Sequence, residues 1–250
     1  MSLHRFYLPP DRWAEESPAL DPADAHHCAD VLRLGAGDTI TLFDGRGQEA
    51  SATLTEVTRK RVHVRIGERR FTAQQRCAIM LAQAVPKGKN MDLVIQKAVE
   101  LGASSLIPLL SERTVVRLDG PGDAEKKRER WQSIALEACK QCGQNWMPEV
   151  GLPRTMKEFF TALPPVDLLL IASLQPGSRS IKEVIASFVT AKGSLPASAL
   201  VLIGPEGDFT PEEIAQALGA GAVPITLGPI ILRTETAALY CLSVLGHELF

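Results

Sequence analysis

Residues 199–240 read ALVLIGPEGDFTPEEIAQALGAGAVPITLGPIILRTETAALY, and this stretch decides the fold. Positions 199–203 are an apolar run of strand length. It ends in Gly204-Pro205-Glu206-Gly207, a turn no helix accommodates. Thr210-Pro211-Glu212-Glu213 then opens a helix: threonine caps it, proline takes the first position, and Glu213 closes a capping box. A second strand, 223–227, ends in Gly228-Pro229, and Thr234 is placed to cap a long final helix. Two strands thus end in Gly-Pro turns within about one helix of each other. In open α/β sheets the loops at the carboxyl ends of strands are where ligands bind.

Upstream, from residue 77, the same alternation holds. Residues 78–85 form an apolar strand, followed by the basic turn Pro86-Lys87-Gly88-Lys89-Asn90 and a helix over 91–101 with Met91, Ile95, Ala98 and Val99 on one face. Residues 105–110 are a strand, 119–123 a Gly/Pro loop, 124–142 a helix, 167–172 a strand and 181–189 a helix. Strand–helix alternation predicts a mostly parallel sheet covered on both faces. The final helix, 234–249, is apolar around much of its surface (Ala237, Ala238, Leu239, Cys241, Leu242, Val244, Leu245). A helix of that kind is buried on more than one side, which predicts packing on its own sheet and on a second subunit.

Residues 1–72 have another pattern. Strands at 39–43, 51–57 and 62–66 are separated by the turns Gly35-Ala36-Gly37-Asp38 and Asp44-Gly45-Arg46-Gly47, which predicts a small β-barrel with little helix. Period-2 geometry puts Arg61, His63 and Arg65 on one side of the last strand and Val62, Val64 and Ile66 on the other. From 59 to 70 there are six basic residues (Arg59, Lys60, Arg61, Arg65, Arg69, Arg70) against one acid, Glu68. Such a stripe is either a solvated face balanced by acids of its own domain or a surface for phosphates.

Composition narrows the class. The 250 residues carry a net charge of −2 and are 45% hydrophobic, ordinary for a globular protein, so a nucleic-acid role has to rest on a local patch. No apolar run approaches the roughly 20 residues of a membrane span, and the start, MSLHRFYLPPDRW, lacks a signal-peptide core. Five cysteines without disulfide-like spacing fit a reducing compartment, and a cytoplasmic protein without membrane partners is the expectation. No metal is expected: Cys139 and Cys142 lack a partner pair, and adjacent His26, His27 and Cys28 face different ways. Gly35-Ala36-Gly37 fails as a dinucleotide fingerprint, because Ile40 stands where glycine is needed and a strand follows. Gly88-Lys89 fails as a P-loop.

Several segments together resemble one family. They are Met91-Asp92 through Val94-Ile95-Gln96-Lys97-Ala98 to Glu100-Leu101-Gly102; Ser111-Glu112-Arg113; Ile203-Gly204-Pro205-Glu206-Gly207 with Phe209; and Leu227-Gly228-Pro229 with Ile231-Leu232-Arg233-Thr234-Glu235-Thr236-Ala237. Glu137-Ala138, Gln141-Cys142-Gly143, Pro148-Glu149 and the early His26-His27 and Val31-Leu32-Arg33 add to them. The pattern resembles the ribosomal RNA methyltransferases of the SPOUT superfamily that modify uridine N3 in small-subunit (16S) RNA, and it spans nearly the whole chain. The resemblance implies an α/β fold: a trefoil-knotted SPOUT methyltransferase domain at 73–250, preceded by a small PUA-like β-barrel domain at 1–72 that helps hold RNA. It implies S-adenosylmethionine as cofactor, ribosomal RNA or the small ribosomal subunit as partner, and a homodimer. The cofactor positions it implies are Ser173, Leu174, Ile203, Gly204, Pro205, Glu206, Gly207, Leu227, Gly228, Ile231, Leu232 and Arg233. Members of the family commonly carry arginine where this chain has Ile230.

The chemistry agrees with that resemblance. Gly204, Gly207 and Gly228 let backbone approach a bent cofactor closely. Methylation at uridine N3 requires loss of a proton, so a cation near the ring oxygens stabilises the anion and a carboxylate takes the proton. Arg233 is the candidate for the first role, and Glu206 or Glu235 for the second. Each has a structural alternative: Arg233 as an ion pair ordering the loop, Glu206 as a polar turn residue, Glu235 as a first-turn acid favouring the helix dipole. RNA contacts are expected from Arg33, Arg61, Arg65, Arg69 and Arg70, with Lys87, Lys89 and Arg113 extending the surface towards the cofactor. Two readings compete: a SPOUT methyltransferase acting on a different RNA or base, and a non-catalytic ribosome-assembly factor that binds RNA. A pure binder has no need of intact cofactor loops, and here they are intact.

Overall fold

The computed structural model describes residues 4–118, 120, 122–175 and 177–250, so the loop expected at 119–123 lies partly outside them. Two compact units result: Met1–Gln74 with Leu136–Met147, and Gln75–Ala135 with Pro148–Phe250.

In the first unit β1 (Arg5–Tyr7) runs parallel to β2 (Thr39–Phe43), which pairs antiparallel with β3 (Gln48–Val57), and β3 with β4 (Val62–Phe71). The sheet order is β1-β2-β3-β4, and an isolated bridge from Ala19 to His63 continues it beyond β4. In the β2–β3 turn an Asp44 carboxylate oxygen accepts from the amides of Arg46 (2.6 Å) and Gln48 (3.0 Å). Gly47 there has φ +95°, and a Cβ on it would lie 2.7 Å from the Trp146 ring, so only glycine fits. Val62 and Val64 are fully buried with Phe6, Leu8, Ile40, Leu42 and Leu54, while Arg61 and Arg65 are exposed. Helix is more prominent than the composition of turns suggested. α1 (Pro22–His26) is capped by the Asp21 side chain, has proline in its first turn, and runs into a π-helical turn at His27–Val31.

The second unit contains β5 (Ala78–Ala84), α2 (Asn90–Glu100), β6 (Ser105–Leu110), β7 (Glu149–Val150), β8 (Arg154–Thr155) and α4 (Met156–Thr161). Then follow β9 (Leu168–Ala172), α5 (Ile181–Lys192), β10 (Ser198–Ile203), α6 (Pro211–Gly219), β11 (Val223–Ile225) and α7 (Thr234–Leu249). Helix α3 (Asp123–Cys142) crosses from this unit into the residues grouped with the first. The strands pair parallel in the order β11-β9-β10-β5-β6-β7, with β8 also beside β6. Parallel neighbours need crossovers, and the helices supply them.

One face of the sheet, bearing Ala82, Ile171, Leu200 and Leu202, is closed by Met156 and Phe159 of α4 and Ile214 and Ala217 of α6. On α7, Ala237, Ala238, Cys241, Leu242, Leu245 and Leu249 are buried, and the helix packs against α2, α5, β5 and β10. The chain therefore leaves edge strand β11 and returns to the middle of the sheet.

Two local expectations are corrected. The strand expected at 223–227 stops at Ile225. Thr234 does not cap α7: Arg233 occupies the cap position without a side-chain cap bond, and Thr234 is the first helical residue. Its hydroxyl is turned inward and donates to the Gly204 carbonyl at 2.7 Å, because a buried hydroxyl must find a partner. Segment 148–161, which has no apolar period, holds β7, β8 and α4, the last opened by a Thr155–Glu158 capping box.

Candidate active site

Strands β11, β9 and β10 are neighbours, and their carboxyl ends open into one cleft of about 470 Å³. That volume suits a nucleoside-sized ligand. Ala172 leads from β9 to Ser173 and Leu174. Ile203 leads from β10 to Gly204, Pro205, Glu206 and Asp208. Leu227 and Gly228 follow β11, and Ile230, Ile231, Leu232 and Arg233 lead to Thr234, Glu235 and Ala237 of α7, with Asn90 of α2 also in the lining. All the cofactor positions expected from the sequence line this cleft except Gly207. Asn90, Asp208, Thr234 and Ala237 line it too and were not foreseen there.

The loop after β10 is built for close approach. A Cβ on Gly204 would lie 3.2 Å from the Asp208 carboxylate and 3.3 Å from the Phe209 amide nitrogen. Gly228 has φ +114°, a backbone state that side chains disfavour. Asp208 holds the left-handed φ of +60°, and its carboxylate accepts from the Phe209 amide at 2.7 Å. Asp208 belongs to the small set of residues that tolerate this region.

Neighbouring loops brace the same segment. A Glu206 oxygen accepts from the Lys87 amide at 2.9 Å. Arg113 donates to the Gly207 carbonyl at 2.7 Å, which accounts for Gly207 facing Arg113 rather than the cleft. The buried Glu213 carboxylate accepts from the Thr210 amide with one oxygen and from the Glu112 amide with the other, both at 2.9 Å. Capping box and inter-loop tie are thus one residue.

Among the described residues Arg233 is exposed and makes no ion pair, and Glu235, half-buried, makes neither a hydrogen bond nor an ion pair through its side chain. The walls are largely aliphatic, from Ala172, Ile203, Leu227 and Leu232, with backbone amides and carbonyls between them. A mostly apolar lining with a few polar groups is the usual make-up of a small-molecule site. Leu174, Ile230 and Ile231 stand exposed at its rim.

The expected RNA residues divide into distinct groups. Arg61 and Arg65 are exposed and unpaired among the described residues, and Arg33 is exposed with φ +55°. Arg69 lies over the Trp13 ring and donates to its carbonyl at 2.8 Å, and Arg70 pairs with Glu68. In the second unit Lys87 and Lys89 are exposed in the loop that Glu206 grips, while Arg113 is engaged with Gly207.

Comparison with known proteins agrees with this geometry. An RNA methyltransferase domain model matches residues 73–246, and an RNA methyltransferase PUA domain model matches 20–67. Ribosomal RNA small subunit methyltransferase E of Bacillus subtilis is 34% identical, with 94% of this chain and 92% of that protein aligned. A Legionella pneumophila methyltransferase solved with bound cofactor SAM superposes with a TM-score of 0.89 at 35% identity, covering 99% of this chain and 98% of that one. Ribosomal RNA small subunit methyltransferase E from Neisseria gonorrhoeae, bound to S-adenosyl methionine, gives 0.84 at 32% identity over 98% of each chain. A PUA domain joined to an RNA methyltransferase domain, with a cleft at the carboxyl ends of parallel strands, is the class defined here. Within it, the chain belongs to the ribosomal RNA small subunit methyltransferase E family.

Proposed function

We propose that this protein transfers a methyl group from S-adenosylmethionine to N3 of a uridine in small-subunit ribosomal RNA. The observation that carries the reading is the cleft itself: three adjacent strand ends converge on it, with glycine where backbone must come close and Arg233 and Glu235 on its wall. The residues present fit the cofactor. Aliphatic side chains at 203, 227 and 232 suit its adenine, and the backbone of 204–206 and 227–232 supplies polar contacts without a charged fingerprint. Bound there, it supplies an electrophilic methyl group on a sulfonium.

The remaining chemistry falls to the chain's own side chains. Arg233, which makes no ion pair among the described residues, stabilises the charge that gathers on the uracil oxygens as N3 loses its proton. Glu206 is tied to the Lys87 amide, whereas the Glu235 side chain has no bond among the described residues, and Glu235 is the carboxylate that accepts the N3 proton. Exposed arginines of the first unit hold RNA phosphates. The protein works in the cytoplasm as a homodimer, and the exposed Leu174, Ile230 and Ile231, with Tyr240 on the open side of α7, supply apolar surface for a second copy. No helix among the described residues is long and apolar enough to cross a membrane.

Mass spectrometry of ribosomal RNA from cells lacking the protein tests the reading. One N3-methyluridine should be missing, restored by the wild type and not by Arg233→Ala. Unchanged methylation would leave the non-catalytic assembly factor standing. A methyl missing from another RNA or base would move the substrate. Light scattering that finds an active monomer at micromolar concentration would remove the dimer.

A further inference from the structure

We infer that Gln83 is a positioning residue for the cofactor cleft: through the Thr234 hydroxyl it locks the Gly204 peptide at the mouth of β10. The inference rests on the cofactor reading above and adds to it a residue that does not line the cleft.

Gln83 is the polar residue in the middle of the buried end of β5 and is 0% exposed. Its carboxamide nitrogen donates to the Ala84 carbonyl at 2.8 Å and to the Thr234 hydroxyl at 2.9 Å, and that hydroxyl donates to the Gly204 carbonyl at 2.7 Å. The chain can run in only one direction. The Ala84 carbonyl only accepts, so the nitrogen of the carboxamide must face it. The second proton on that nitrogen then goes to Thr234, and the single proton of the threonine hydroxyl is left for Gly204.

The cost of this arrangement points away from a role in stability alone. The carboxamide oxygen of Gln83 is buried without a partner. An orphaned acceptor is unfavourable, and an aliphatic side chain of similar volume would avoid it. The benefit lies at the other end of the chain. Gly204 has no side chain by which its orientation could be set, and it is the first loop residue after β10. Thr234 stands between Arg233 and Glu235, so the same two bonds register the start of α7 against that loop. Both parts line the cleft.

The test is calorimetric titration of S-adenosylmethionine into wild type, Gln83→Met, Thr234→Val, Thr234→Ser and the Gln83→Met/Thr234→Val double variant, with thermal midpoints measured in parallel. Each of Gln83→Met and Thr234→Val is expected to weaken affinity about tenfold, the scale of one lost hydrogen bond in a fixed chain. The double variant should be no weaker than the worse single, because both cut one chain. Thr234→Ser, which keeps the hydroxyl, should lose less than Thr234→Val. Binding within twofold of wild type in both singles, or a double-variant loss equal to the product of the single losses, overturns the inference even if the midpoints fall. Should Gln83→Met not fold, equal losses in Thr234→Ser and Thr234→Val would overturn it as well. A wild type that binds no S-adenosylmethionine would instead remove the cofactor reading, and this inference with it.

Discussion

The Lys87 backbone amide donates to a carboxylate oxygen of Glu206 at 2.9 Å, so the loop that follows β5 and the loop that follows β10 are one assembly. This separates two roles for Glu206. A loop tie needs only an acceptor, whereas a proton acceptor needs a carboxylate. Glu206→Gln keeps the oxygen and is expected to bind S-adenosylmethionine within about threefold of wild type, with kcat reduced less than tenfold. Glu206→Ala should lose up to about tenfold in affinity, the scale of one net hydrogen bond. Single-turnover methylation with calorimetry checks both. If Glu206→Gln loses a hundredfold or more in rate with affinity unchanged, Glu206 is the base and not Glu235.

Glu213 joins α6 to the loop after β6 by accepting two backbone amides from a buried position. Removing its side chain leaves both amide donors short of a partner and breaks the reciprocal half of the α6 capping box, while the Thr210 hydroxyl still caps the helix. Glu213→Ala is therefore expected to destabilise the second unit by about 2–4 kcal/mol. Glu213→Asp, too short to reach both amides, should lose a comparable amount. Urea unfolding followed by far-ultraviolet circular dichroism measures it, and a loss below about 0.5 kcal/mol would mean that water replaces both bonds.

The thiols predict a pH limit. Burial pushes Cys77 up to about 11 and Cys139 and Cys241 up to about 12, and it raises Cys28 as well, from an ordinary value of 9.0. A folded-state value above the unfolded one gives a contribution that is complete below about 9 and is lost as pH rises through 11 to 12. The thermal midpoint should therefore decline from pH 9 upward. At neutral pH a disulfide reagent should modify Cys142, the exposed cysteine, at once, and the other four only on unfolding. Rapid reaction of two or more thiols in the native protein would contradict the burial.

Much of the second unit is legible in its sequence. Strands β5, β6, β9 and β10 are apolar runs with sharp ends, and Thr210-Pro211-Glu212-Glu213 spells out the start of α6. The cleft follows, because its walls are the residues that come next after β9, β10 and the short β11. What escaped depends on distant partners or on very short elements. β7 and β8 have two residues each and no period to read. Thr155 with Glu158 is a capping-box signal for α4, and Asp21-Pro22 a start signal for α1, but each opens a helix of six residues or fewer, too short for an apolar period. The inward turn of Thr234 is set by Gln83 and Gly204, 151 and 30 residues away, and no local pattern announces it. A lone glutamine in an apolar strand was the available hint.

The basic stripe of β4 now separates into residues with and without work inside their own domain. Arg69 is held by Trp13 through its ring and its carbonyl, and Arg70 by Glu68. Arg61 and Arg65 project from the exposed face beside buried Val62 and Val64, with no carboxylate partner among the described residues. If that pair contacts RNA phosphates, each contact releases counterions, and affinity falls with salt at a log–log slope of about 0.7 per contact for a single strand. Replacing Arg61 and Arg65 together by alanine should flatten the slope by about 1.4 and weaken binding at low salt. The thermal midpoint and S-adenosylmethionine affinity should scarcely change, since no internal bond is lost. Arg69→Ala should behave in the opposite way, lowering the midpoint through the lost Trp13 contact, with a smaller effect on slope. Filter binding of a ribosomal RNA fragment at several salt concentrations, beside thermal melts of the same variants, separates the two. An unchanged slope in the double variant would free Arg61 and Arg65 from any phosphate role and direct the search for the RNA surface to Lys87 and Lys89, the exposed cations of the loop that Glu206 holds.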